Sequence, residues 1–129
     1  MSIEVVTPAN VHSTTGYSHA VKMGGLVFVA GQVALDREGN VVGRGDISAQ
    51  VNQVFANLAA VLEASGSGMD LVGKITVFTT NLGFRPAISE ARNAAFAPFG
   101  HAPASTFLVV SSLATPDMLV EIEAVAAVR

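Results

Sequence analysis

The sequence predicts an α+β domain with two helices packed on one face of a sheet of four to six strands. Three observations carry this. One long segment places apolar residues at helical spacing, and a shorter one opens on a proline suited to a helix start. Around them lie segments rich in β-branched and aromatic residues, so that the order reads strands, helix, strand, helix, then two strands.

Ser18–Lys22 is the first extended segment, and it runs into Gly24-Gly25, a turn signal. Leu26–Ala30 reads Leu-Val-Phe-Val-Ala, a buried strand expected to end at Gly31 and Gln32. Asp36-Arg37-Glu38-Gly39-Asn40 is a polar loop that leads into a short extension at Val41-Val42. Asp46 suits a helix N-cap, its carboxylate accepting from an orphan backbone amide. After it, Val51, Val54, Phe55, Leu58, Val61 and Leu62 fall on one helical face, and Gly66 supplies the stop. Lys74–Thr79 is a strand. Pro86 opens a helix through Ile88, Ala91, Ala95 and Phe96 that Pro98 and Gly100 close. Ser105–Val110 is a further strand, and Pro116-Asp117 turns the chain into the last one, Leu119–Val128.

Two helices cover only one face of such a sheet, yet the strands are apolar on both. Phe107 and Val109 oppose Leu108 and Val110, and Leu26 and Phe28 oppose Val27 and Val29. The last strand sends Val120, Ile122, Ala124, Ala126 and Val128 one way and Glu121, Glu123, Val125 and Ala127 the other. A monomer would leave several hundred Å² of apolar surface wet, so self-association through the sheet is expected.

The 129 residues suit one domain spanning 1–129. Half are hydrophobic and 13% are charged, which excludes a disordered chain. The net charge of −3 argues against nucleic-acid binding, which needs a basic footprint. The absence of cysteine excludes a disulfide scaffold, a thiolate metal site and a cysteine nucleophile. No apolar run approaches the roughly 18–20 residues that cross a bilayer, and Met1–Asn10 is too mixed for a signal peptide. A cytoplasmic protein without membrane contact is the expectation.

Among candidate chemical groups, His12, His19 and His101 are too dispersed for a metal pair. His12 and His101 are expected to be solvated loop residues, whereas His19, near Tyr17, is a candidate pocket residue. Arg44-Gly45-Asp46 matches an adhesion tripeptide, but Asp46 is occupied as a cap. Ser65-Gly66-Ser67-Gly68 follows a helix and lacks the lysine of a phosphate loop, so it reads as a turn. Glu121 and Glu123 share one face of an otherwise apolar strand. If a neighbouring subunit buries that face, either carboxylate needs a partner or a raised pKa. Both an inter-subunit polar contact and a general acid/base stay open here.

The chain resembles the Rid family, named after reactive-intermediate deaminase, over nearly its whole length. The matching segments are Gly16-Tyr17-Ser18-His19-Ala20-Val21, Val29-Ala30-Gly31-Gln32-Val33, Gln53–Leu62 and Lys74-Ile75-Thr76-Val77-Phe78. The most specific are Pro103-Ala104-Ser105-Thr106 and Val120-Glu121-Ile122-Glu123-Ala124-Val125-Ala126. The resemblance implies a chorismate-mutase-like (RidA-type) mixed sheet in a homotrimer, with sheets around a central barrel, helices outside and ligand clefts between subunits. It implies enamine/imine hydrolysis to a 2-keto acid and ammonia, with no cofactor. By position, Glu121 matches the water-binding catalytic glutamate, Tyr17 the pocket tyrosine, Gly31 the pocket glycine and Asn93 a helix asparagine near the cleft. Phe107 falls beside the ligand.

One departure is informative. Deaminating members carry Pro-Ala-Arg, with the arginine clamping the substrate carboxylate, and this chain has Ser105 there. A hydroxyl supplies neither charge nor a bidentate fork. Losing a charged hydrogen bond of about 1.5–3 kcal/mol implies a loss of about one to two orders of magnitude. The expectations are therefore a small-metabolite cleft with imine hydrolysis on a substrate less dependent on that clamp, or a non-catalytic binding or scaffold trimer. Arg85 and Arg92, near or in the second helix, are candidate substitutes for the missing cation. A ribonuclease or translation inhibitor fits the charge poorly.

Overall fold

The computed structural model describes residues 2–129, in which six strands form one mixed sheet. These are β1 (Glu4–Val6), β2 (Ala20–Met23), β3 (Leu26–Gln32), β4 (Val72–Thr79), β5 (Ala104–Val109) and β6 (Val120–Ala127). The helices are α1 (Ile47–Ala64) and α2 (Arg85–Phe96). The spatial order is β1-β2-β3-β6-β4-β5, with every neighbouring pair antiparallel except β4 and β5. A parallel pair needs a crossover, and α2 with its flanking turns provides it.

Local chemistry sets these elements as read from the sequence. The Asp46 carboxylate accepts from Ala49 N at 3.1 Å and caps α1, while Gly66, at φ +74°, turns the chain out of it. Gly24 and Gly25 both have positive φ, the requirement of the two-residue hairpin that joins Met23 to its partner Leu26. Pro86 lies in the first turn of α2, where its missing N–H costs no hydrogen bond.

The core lies between the helices and one sheet face. Val51, Val54, Phe55, Leu58, Val61 and Leu62 of α1 are buried against Val27, Ile75, Val77, Val120, Ile122 and Ala124. β6 alternates strictly, with Val120, Ile122, Ala124 and Ala126 buried and Glu121, Glu123, Val125 and Ala127 partly or fully exposed. On the uncovered face a row runs Val5, Val21, Phe28, Val125 across four strands. Leu26, Phe28 and Leu108 are 41%, 39% and 43% exposed there, so the two-sided apolar pattern is present in the fold.

Three details differ from the sequence reading. β1 lies within the N-terminal ten residues read only as mixed; three residues are too few to show a period, and its pairing with β2 includes a Lys22–Glu4 ion pair. β3 does not end before Gly31 and Gln32 but carries both through an irregularity between Val29 and Gln32. Val41-Val42 reduces to one isolated bridge between Leu35 and Val41.

A buried glutamine fixes the entry to β6. Gln50 Oε1 accepts from Leu119 N at 2.9 Å, and Nε2 donates to Asp117 O at 2.8 Å and Gly43 O at 3.2 Å. Gln50→Leu should leave these backbone groups unpaired and destabilise the protein by about 2–3 kcal/mol in urea unfolding.

Candidate functional site

The position of Glu121 follows from β6. Its neighbours Val120 and Ile122 must face the helices, so its carboxylate emerges on the uncovered face, opposite Phe78 of β4. The irregularity in β3 brings Gly31 directly beneath it. A Cβ added at Gly31 would lie 2.6 Å from Glu121 Cδ and 2.8 Å from Cγ, inside contact distance. Glycine is required there for space and not for an unusual backbone angle. Burial pushes the Glu121 pKa up, and the like charge of Glu123 adds to it.

Tyr17 stands in the loop before β2. At 56% exposure it is no core aromatic, and the Thr14 hydroxyl donates to its carbonyl at 2.7 Å. A buried polar chain ties this loop to the end of β3. Gln32 Nε2 donates to Ala30 O at 3.0 Å and to His19 Nδ1 at 3.1 Å. His19 Nε2 lies 2.7 Å from His12 O and donates to it. Tyr17, His12, His19 and Thr14 line a cavity of about 360 Å³.

Asn93 and Ser105 share a second cavity, of about 500 Å³, with Arg92, His101, Phe96 and Pro103. Ser105 pairs with the buried Ile75, which puts it on the helix side of the sheet, away from Glu121. Phe107 pairs with Val77 on that same side. Phe107 does not line this cavity; it packs on the core margin with the Arg85 guanidinium 5.2 Å from its ring centre. One protomer thus places Gly31 and Glu121 on the open face, Asn93, Ser105 and Phe107 on or beside α2, and Tyr17 apart from both in the loop before β2.

A family model described as endoribonuclease L-PSP matches residues 7–128. A RutC family protein of Pyrococcus abyssi is 35% identical over 127 residues, 98% of each chain. A protein of Dermatophagoides farinae named 2-iminobutanoate/2-iminopropanoate deaminase is 33% identical, covering 97% of this chain and 95% of that one. The crystal structure of RidA from the Antarctic bacterium Psychrobacter superposes with a TM-score of 0.89 at 29% identity, covering 97% of this chain and 99% of that one. The chain belongs to the Rid family.

Against this family frame, several expectations change. His12 is buried, not solvated: it is 8% exposed and stacks edge-on against His19 at 4.7 Å, and burial with the nearby His19 lowers its pKa. No periodic pattern marks this burial, because it comes from the fold of the loop itself, seven residues from His12 to His19. His101 is exposed, with Nε2 bonded to Val72 O at 2.9 Å. Arg44 pairs with Asp117, and Ser65 and Ser67 donate to Val61 O and Ala127 O, which ties the tripeptide and the glycine-rich turn into the fold. Among the described residues no three His, Cys, Asp or Glu side chains gather at one point. No helix of the described residues is long and apolar enough to cross a membrane.

The raised Glu121 pKa has a signed consequence. The folded state binds this proton more tightly than the unfolded state, so stability falls as pH rises from the ordinary carboxylate range to the raised value. Urea unfolding across that window should show the fall in the parent and its loss in Glu121→Gln, which is expected to be the more stable protein at pH 7. A carboxyl NMR titration should place Glu121 above the ordinary glutamate range, and lower in Glu123→Gln.

Proposed function

We propose that this chain is the single-domain protomer of a cytoplasmic homotrimer, with three inter-subunit clefts that hydrolyse a small enamine or imine. The Glu121 carboxylate, seated on Gly31 with a raised pKa, is the observation that carries the reading. A carboxylate tuned upward takes a proton from water and returns it more readily than an ordinary one. The apolar open face and the separation of Glu121 from Asn93 and Ser105 support a second copy that completes each cleft.

The enamine first tautomerises to the imine. Glu121 orients a water and accepts one of its protons as the oxygen bonds to the imine carbon. Glu121 passes that proton to nitrogen, giving the neutral carbinolamine; it then takes the hydroxyl proton and delivers it to nitrogen as the C–N bond breaks, and a carbonyl compound and ammonia leave. One water is consumed and no electrons are transferred, so the chemistry needs no cofactor. Tyr17 closes one side of the cleft. The name of the mite relative, 33% identical, supports this class of substrate.

Ser105 favours a second reading, a trimer that binds a metabolite or serves as a scaffold without turnover, because its hydroxyl cannot replace a charged clamp. A ribonuclease is disfavoured by seven basic against ten acidic residues. The test is a coupled assay with enzymatically generated 2-aminoacrylate. Glu121→Gln should reduce hydrolysis by about two orders of magnitude or more with the fold intact. An inert parent that gains deamination on Ser105→Arg would establish the binding reading instead. The mass in solution should be three times the 13.2 kDa protomer, and a stable monomer at micromolar concentration would overturn the shared cleft.

A further inference from the structure

We infer that Arg92, on α2, supplies the cationic anchor that Ser105 cannot, and that the cavity between α2 and β5 receives the carboxylate of a small 2-keto or 2-imino acid. This rests on the proposed reading that the cleft takes an imine. Arg85 and Arg92 lie seven residues apart on α2, two turns, and therefore on one helical face. Phe107 and Ser105 lie two apart on one face of β5. The pairs match in space. Arg85 lies over the ring of Phe107, while Arg92 shares a cavity with Ser105.

Arg85 is thereby engaged, and Arg92 is not. The ion pairs of the described residues use Lys22, Arg44 and Arg129, leaving Arg92 without a carboxylate partner. Its side-chain hydrogen bonds are two long ones, 3.4 and 3.3 Å, to Asn93 Oδ1. The side chain is half-buried, and the apolar groups of Phe96 and Pro103 line the same cavity and reduce the screening of its charge. No acidic side chain lines this space. What faces a ligand there is a set of donors: the Arg92 fork, the Asn93 amide and the Ser105 hydroxyl. Such a set recognises a carboxylate.

Pyruvate and its neutral analogue pyruvamide, titrated into the intact protein by NMR, separate charge recognition from shape. The parent should bind pyruvate about tenfold or more tightly than pyruvamide, and Arg92→Gln should erase the difference. Arg37→Gln removes the same charge from an exposed loop and should leave the preference intact, and Arg92→Gln combined with Ser105→Arg should restore it. Equal affinity of the parent for both probes, or an unchanged preference in Arg92→Gln, would overturn the inference. Glu121→Gln should keep the pyruvate preference while losing hydrolysis. A parent inert toward imines that still selects pyruvate through Arg92 would sink the catalytic reading and leave the anchor standing.

Discussion

The alternation along β6 is the constraint from which the rest of the molecule follows. This strand is last in sequence but interior in the sheet, bonded to β3 on one side and β4 on the other. Val120, Ile122, Ala124 and Ala126 are almost fully buried beneath α1, and moving the register by one residue would exchange them for two carboxylates. The free energy of burying four apolar side chains, together with the cost of burying two charges, holds the register. Glu121 is therefore fixed on the opposite face by packing that it takes no part in. The glycine at position 31 then permits the close approach that shields it.

A sheet built this way separates its chemistry. Side chains that pair across β4 and β5 on the helix side, Ser105 and Phe107, point away from those that pair with Phe78 on the open side, Glu121 and Leu108. No rotamer change carries a side chain through a sheet. In the proposed trimer, a reaction that uses both groups of residues draws them from different copies. The same open face carries Leu26, Phe28 and Leu108, so the surface that needs covering and the site that needs completing coincide.

The fold was legible wherever periodicity ran long enough. Six positions of α1 at helical spacing all proved buried, and the in–out pattern of β6 was readable residue by residue. β1 was not, because three residues carry no period and its stability comes from β2. The site was legible unevenly. Glu121 stands out as a charge in an apolar strand, visible without any structure. Gly31 carries no pattern of its own, and its role came from resemblance; only the approach of Glu121 gives that role a physical cause. His12 and Gln32 became visible only in three dimensions, since they meet through His19 in an irregular loop that carries no period. Arg92 was one of two candidate arginines, and what separates it from Arg85 is the Phe107 ring that Arg85 covers.

In the proposed cleft, charge placement links Glu121 to the residues beside α2. A like charge at Glu123 already raises the Glu121 pKa, and an anionic substrate brought beside it would raise it further. Uncompensated, that shift would leave the carboxylate protonated and unable to accept a proton from water. A cation across the cleft offsets the substrate's charge and keeps the glutamate in the range where it both takes and returns a proton. A cation on a helix opposite the cleft does this as well as one on β5, because the field depends on distance and burial and not on which element carries the charge. Bidentate geometry is more demanding, and α2, packed through the buried Ile88 and Phe96, holds its arginine backbone in a fixed position for it.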